Sequence, residues 1–419
     1  MSTGSSGLKN ADWIAPVCMV LLWLIGISFI YSAQSYNIDE IPVLKQFWIR
    51  QIIFGIVGFG VYAAIARADY DIFLRYAHII YIFSVLLLIP LVLKEYFNIP
   101  IPFVESRFNS TRWINFKFFS IQPSEIAKIG TCIMCASILA RSKVGTIKTS
   151  IKVLIKLGVV FFIPILLIFL QPDLGSTLVF PPMVFAMLYV SKLSKRFFGT
   201  ALAAFCICVS VVAIDIAGYA NFLSSQNMDP SEAARLNAYG GSSSILPPLK
   251  DYQRNRILAF VAPDVIDPRG LGVSWNQRQS LISVGTGGLW GKGHAQGTQA
   301  KLGYLPSDVA YNDFIFSVIA EESGFVGGSA VVILLTSIVI FSCMRSARLS
   351  RDRFGQYLSI GIAAALMTHV FINIGMTIGI MPITGVPLPM LSYGGSFILT
   401  CCILLGLVQS VYRHRQKYA

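Results

Sequence analysis

Several ionisable side chains stand where their neighbours are apolar, and an ionisable group at membrane depth costs several kcal/mol unless it is paired or hydrated. Glu125 and Lys128 follow Gln122-Pro123-Ser124, where Pro and Ser suit a helix start. At i and i+3 they share one helix face. Two readings stand side by side. One is an ion pair that docks the helix to its neighbours. The other is a polar cavity, reached from outside, where Lys128 meets a phosphate. Asp173, in Gln171-Pro172-Asp173-Leu174-Gly175, suits the cap of the following helix. Asp313 opens an apolar run, Asn312-Asp313-Phe314-Ile315-Phe316, and a carboxylate there sits at the level of a lipid headgroup. The alternative is a plain residue of a helix N-terminus. Eight residues on, Glu321 and Glu322 lie inside the run, and at least one must face a polar interior. His369 and Asn373 are one turn apart and read as a satisfied interior pair. The sixteen residues Met381 to Ser396 read MPITGVPLPMLSYGGS, an irregular stretch. Irregular backbone at membrane depth is tolerated only where it is buried in protein or lines a cavity.

The elements that must position these residues are membrane spans. The chain has 419 residues, 55% hydrophobic and 13% charged, against about 25% charged in soluble domains. Trp13–Ala33, Tyr76–Leu93, Leu174–Ser191, Phe197–Ile214 and Ser323–Met344 lack Asp, Glu, Lys and Arg, and so does Phe354–Tyr412. About 20 apolar residues cross a bilayer as a helix, so the last run holds two spans. Weaker spans lie around Gln51–Ala66, Glu125–Ala140 and Leu157–Pro172. The expected fold is an all-α polytopic membrane protein with about ten transmembrane helices, a single domain over 1–419. The runs are continuous and not alternating, which argues against a β-barrel. The first run is full span length and reads as a retained signal anchor. The cysteines fall almost entirely in the spans and read as small packing residues. No Cys/His spacing suggests zinc.

The net charge of +13 follows topology and does not point to nucleic acid. Arg141 to Lys156, Lys192 to Arg196, Arg345 to Arg353 and Arg413 to Lys417 hold its clusters. With ten spans these all fall on one side, with Arg67, Arg75 and the N-terminus. Cytoplasmic loops are enriched in Lys and Arg, so both termini are expected in the cytoplasm. Two larger segments then lie outside, Lys94–Gln122 and about 220–312, the latter between helices 7 and 8. From Ala220 to Asn312 there are eight Lys and Arg against six Asp and Glu. That loop is a candidate anion-binding surface, or a solvated loop of mixed charge.

Six motifs in order resemble the SEDS family (shape, elongation, division and sporulation proteins), which are bacterial peptidoglycan polymerases. They are RWINFKFFSIQPSEIAK at 112–128, QPDLGS at 171–176, YQRNRILAF at 252–260, QSLISVGTGGLWGKGHAQGTQAKLGYLP at 279–306, DFIFSVIAEESGFVG at 313–327 and MPITGVPLPMLSYGGS at 381–396. QPDLG, NIGM and GVPLP are more similar to the elongation (RodA) branch than to the division (FtsW) branch.

The resemblance implies a multi-pass protein of the bacterial plasma membrane that polymerises lipid II, the undecaprenyl-pyrophosphate-linked disaccharide-pentapeptide, on the outer face. It implies a role in cell elongation and shape, and a class B penicillin-binding protein (a transpeptidase) as partner. The family's aspartate maps to Asp313, expected as general base of an inverting transfer. Its glutamate, lysine and tryptophan map to Glu125, Lys128 and Trp113. Arg112, Gln122, Lys292, Gln299, Tyr393 and Ser396 join the expected substrate-binding set. Lys128, Arg112 and Lys292 are the candidate cations for the leaving pyrophosphate, with or without a divalent ion such as Mg2+ or Mn2+. The family's Leu-Pro-Glu segment is longer here and reads Leu305-Pro306-Ser307-Asp308. Asp308 can replace the lost carboxylate or compete with Asp313 as base. A lipid II flippase, a non-catalytic scaffold and a division role are the competing functions.

Overall fold

A computed structural model describes residues 11–35, 42–97, 99, 101–107, 110–116, 119–226, 228–241, 249–267, 269–272, 274–305 and 307–415. Among these residues nine helices are long and apolar enough to cross a bilayer. In chain order, α1 (Ile14–Gln34), α2 (Phe47–Arg67) and α3 (Ala77–Phe97) come first. A three-stranded antiparallel sheet follows: β1 (Val104–Arg107), β2 (Ser110–Asn115) and β3 (Ser120–Ile121). Then come α4 (Pro123–Ala140), α5 (Ile147–Leu170), the shorter α6 (Leu174–Val190) and α7 (Lys195–Gln226). The loop segment contributes α8 (Asp251–Val261) and α9 (Trp275–Gly287). The bundle closes with α10 (Ile315–Leu349), α11 (Arg353–Thr377) and α12 (Gly395–Arg413). Helix α6 spans only about 26 Å, a little under the hydrocarbon thickness, and takes the place of the remaining expected crossing.

The helices form because a bilayer leaves the backbone no other partner than itself. Their burial differs sharply. Helices α4, α11 and α12 are enclosed along most of their length, whereas the apolar stretch of α7 has no buried residue. Leu202, Phe205, Ile207 and Val209 of α7 all point outward. At 32 residues, α7 is about 48 Å long and overshoots a bilayer of about 30 Å. Its buried positions, Asp215, Ile216, Tyr219 and Leu223, gather near the overshooting end. There Ile216, Tyr219 and Leu223 form a second small core with Ala233, Tyr239, Leu258 and Ala259. The chain therefore has a bundle core and a separate cap built on the top of α7.

Three features of this architecture differ from the expectation. The segment before α4 holds a sheet, with Ile114 opposite Ile121 and Trp113 opposite Glu105. Strands of two to six residues leave too short an alternation to stand out among helical periods. The segment expected as an outer loop from about 220 begins later, because α7 continues to Gln226. Residues 275–301 also do not lie free above the bundle. Helix α9 packs directly on the first turns of α10, where a β-carbon at Gly287 would lie 2.0 Å from the Ala320 carbonyl oxygen. The turn after α9 carries hydrogen-bond donors down to Glu321 and Glu322, both buried. Lys292 Nζ, Thr298 N and Thr298 Oγ1 reach Glu321 Oε1 at 2.6, 2.8 and 2.9 Å. Ser32 Oγ and Ala295 N donate to Glu322 at 2.5 and 3.0 Å. Both carboxylates therefore face a polar interior, and the loop is what makes that interior.

Glu95 at the end of α3 joins the sheet to the cap. It accepts Thr111 Oγ1 at 2.8 Å and pairs with Lys250 Nζ at 2.7 Å. This link brings β2 and α8 to one place, above the N-terminus of α4.

Candidate active site

The residues that meet there come from five separate parts of the chain. On β2, successive side chains point to opposite faces, so Arg112 and the half-buried Trp113 diverge. Arg112 turns toward the α5–α6 junction, where its guanidinium donates to the Pro172 carbonyl. Tyr252 of α8 donates to the same oxygen at 2.7 Å. Asp173 follows. Its carboxylate caps α6, accepting Ser176 N and Oγ at 3.2 and 2.8 Å. It also accepts Gln122 Nε2 at 3.0 Å. Burial works to raise the Asp173 pKa, but the Arg112 charge and the Ser176 hydrogen bonds outweigh it and hold it below the usual value. Asp173 is thus a helix cap and a fixed negative charge at once.

Arg256 lies two residues beyond Arg254 on α8. Residues two apart on a helix point to nearly opposite sides, and these two arginines do. Arg254 turns inward to Asp215 and Asp251 at 2.9 Å each, with no exposed side-chain surface. Arg256 turns out over Tyr252, 5.9 Å from its ring. Its side chain stays accessible although protein crowds around it. That crowding and the neighbouring Arg112 lower its pKa, against Tyr252, Asp313 and Asp173, which raise it.

Asp313 stands two residues before α10 and is half-buried. Its carboxylate faces Gly385 of the irregular segment, where an added β-carbon would lie 3.2 Å from Oδ2. Gly385 has φ +72°, a backbone shape that disfavours a side chain. Burial pushes the Asp313 pKa up; Arg256 and Arg112 oppose that, Asp173 adds to it, and the result is about 6. A carboxylic acid and two guanidiniums therefore sense one another across a site lined by β2, the α5–α6 junction, α8, the start of α10 and the 381–396 segment.

That last segment is tied to the Asp313 turn. Ser392 Oγ donates to the Asn312 carbonyl at 2.6 Å, and Tyr393 N donates to the Tyr311 carbonyl at 3.0 Å. The Tyr393 ring packs with Phe47 and Tyr311. Ser396 Oγ accepts Gln122 N at 3.1 Å, which joins α12 to the start of α4.

A model of the FtsW/RodA/SpoVE family, described as cell cycle proteins, matches residues 12–417. The chain belongs to the SEDS family. The peptidoglycan glycosyltransferase RodA of Treponema pallidum (strain Nichols) is 30% identical, covering 97% of this chain and 98% of its own. The peptidoglycan glycosyltransferase MrdB of Escherichia coli (strain K12) is 32% identical over 95% of this chain and 93% of its own. A chain of the solved structure "Structural coordination of polymerization and crosslinking by a peptidoglycan synthase complex" shares the fold, with a TM-score of 0.71 at 24% identity. That alignment covers 97% of this chain and 99% of the solved one. The chain is thus a multi-pass membrane protein of the SEDS type.

Within this SEDS bundle the expected residues separate into groups. Asp313, Arg112, Gln122, Tyr393 and Ser396 all belong to the elements that meet at the site. Glu125 and Lys128 lie deeper. Lys128 Nζ is 2.6 Å from Glu125 Oε1 and 3.1 Å from His369 Nε2, and the ion pair is 2–3% exposed. A cavity of about 10 Å³ lies beside the pair, lined also by Phe397 and Cys401. Lys292 pairs with Glu321, about two turns further along α10 than Asp313. Gln299 N donates to the same carboxylate at 3.3 Å. The side chain of Asp308 lies outside the described residues. His369 and Asn373 are both bonded, but to the carbonyls of Pro387 and Val386. Among the described residues no three His, Cys, Asp or Glu side chains converge to hold a metal ion.

Arg256, Tyr252 and the second role of Asp173 escaped sequence reasoning. The motif YQRNR was visible, but which of its arginines turns inward depends on where α7 stands. Exposed and buried arginines have no different spelling.

The buried pair yields a stability prediction. Lys128→Met leaves the Glu125 carboxylate without its counter-charge and should cost about 3–5 kcal/mol. Adding Glu125→Gln should recover most of that, because removing both charges removes the unpaired one. Thermal unfolding in detergent checks both variants. A single variant as stable as the native chain would show that the pair does not hold α4 in place.

Proposed function

We propose that this chain is a peptidoglycan glycosyltransferase of the bacterial plasma membrane. It polymerises lipid II on the outer face, with Asp313 as general base, and serves cell elongation. The observation that carries this reading is the Asp313 carboxyl, set against the Gly385 segment and within electrostatic reach of Arg256 and Arg112. One carboxyl that can accept a proton, together with two cations, supports glycosyl transfer from a pyrophosphate donor.

The transfer joins two lipid-linked sugars. The acceptor hydroxyl oxygen attacks the donor anomeric carbon and its proton passes to the Asp313 carboxylate. The bond from that carbon to the lipid pyrophosphate breaks, and the pyrophosphate carries away the bonding electrons. A single displacement inverts the anomeric centre, so one base suffices. A base whose pKa lies close to the operating pH serves better than an ordinary aspartate. The leaving group gains negative charge in a crowded site, where preorganised cations act most strongly. Arg112 and Arg256 supply that charge, and Asp173 holds Arg112 in place electrostatically.

The distribution of charge supports the orientation. Lys148, Lys152 and Lys156 are exposed on the first turns of α5, at the end of the bundle away from Asp313. They favour a cytoplasmic position for that end. The termini then lie in the cytoplasm and the site faces out, where a transpeptidase of the class B penicillin-binding type can meet it. The motifs QPDLG, NIGM and GVPLP support the elongation role.

Purified chain in detergent, supplied with lipid II and with or without a class B penicillin-binding protein, should release glycan polymer separable by gel electrophoresis. Translocation of fluorescent lipid II across liposomes, with no polymer under either condition, would replace this reading with a transporter.

A further inference from the structure

Asp313 precedes the first helical residue of α10, so the helix itself does not fix its place. Asn373, fully buried in α11, does more. Its Nδ2 donates to the Asp313 carbonyl at 2.9 Å and to the Val386 carbonyl at 2.7 Å. An amide nitrogen has two hydrogens, and both are engaged. Two carbonyl acceptors also decide which end of the amide faces them. One side chain thus joins the turn that carries Asp313 to the segment whose Gly385 faces its carboxylate. One helical turn earlier, His369 Nδ1 donates to Pro387 O at 3.3 Å. Two consecutive carbonyls of the irregular segment are therefore held from one face of α11.

We propose that Asn373 is a positioning residue for glycosyl transfer. Its amide fixes the spacing between the Asp313 turn and the Gly385 segment and so holds the carboxylate in line with the acceptor hydroxyl. This inference rests on the polymerase reading above. A merely structural Asn373 would satisfy two carbonyls and nothing more. Ser280 offers that comparison. It is buried and donates to the Thr377 carbonyl at 2.8 Å, one turn further along α11, while meeting Ser317 Oγ at 2.6 Å. It joins α9 to α10 and α11 without touching the Asp313 turn.

The test uses the full-length chain in detergent with lipid II as substrate, and reads kcat, KM and the thermal midpoint. Asn373→Ala should lower kcat by about tenfold or more with KM within about twofold, the signature of a lost transition-state arrangement. Ser280→Ala, for a similar loss of thermal midpoint, should keep kcat within about threefold. Asn373→Ser retains one donor and should recover part of the rate. Gly385→Ala reaches the carboxylate from the other side and should also lower kcat with little change in KM. Equal kcat in Asn373→Ala and Ser280→Ala, or a loss wholly in KM, overturns the inference. Should Asn373→Ala fail to fold, Gly385→Ala decides, and a native kcat there overturns it. A native chain that makes no polymer overturns the polymerase reading first, and the inference with it.

Discussion

Asp313→Asn should reduce lipid II polymerisation by about 10²–10⁴-fold, the range for removing a general base, while the protein stays at least as stable. The two halves of this expectation share one cause. Burial raises the Asp313 pKa to about 6, above an ordinary value of about 3.9. A carboxylate shifted upward contributes stability at low pH, where it is neutral in both folded and unfolded chains. That contribution is lost as pH rises through about 6. At pH 7 the ionised group is therefore held at a cost of about 3 kcal/mol, and asparagine removes it. Function runs the other way, because only the ionised form can take a proton. The native rate should rise as pH climbs through about 6 and level off above. Polymerisation assays and thermal unfolding from pH 5 to 8 test both signs. An Asp313→Asn chain that polymerises at the native rate would pass the role of base to another carboxylate. Asp308→Asn, assayed beside it, identifies whether Asp308 is that group.

The two arginines of the Tyr252-Gln253-Arg254-Asn255-Arg256 run should fail in opposite ways. Arg254 is fully enclosed and neutralises both Asp215 and Asp251. Asp251 in turn accepts Tyr239 N and Gly240 N at 2.9 and 3.0 Å, so the cap folds around this cluster. Arg254→Met strands two buried carboxylates and should destabilise the cap by about 3–5 kcal/mol or more. Limited proteolysis should then cut within 228–267 while the bundle survives. Arg256→Met removes an accessible side chain and should leave the thermal midpoint within a few degrees. Its polymerisation rate should fall by about 10²-fold, as for the loss of one preorganised charge donor. Because Arg256 is the foremost group lowering the Asp313 pKa, its loss should also move the acid limb of the pH–rate profile upward. Equal loss of stability in the two variants would contradict this division between a structural and a site arginine.

The membrane class, the order of the spans and the family motifs were legible from sequence because they depend on local composition. A bilayer admits a continuous apolar run only as a helix, wherever it sits in the bundle. The prominence of Asp313, Glu125 and Lys128 was legible for the same reason, since a charge in an apolar run is conspicuous. What each charge does was not legible. Lys128 and Lys292 are equally basic on paper, yet the fold encloses one against Glu125 and His369 and pairs the other with Glu321. Arg254 and Arg256 stand two residues apart, and only the position of the α7 end decides which is buried. Asp173 looked like a helix cap and is one, but the nearness of Arg112, sixty-one positions away, also makes it part of the site. Asn373 reaches Asp313 across sixty positions. Such meetings depend on how helices cross and where a short sheet docks. Those are packing outcomes of the whole chain, and no local pattern of residues encodes them.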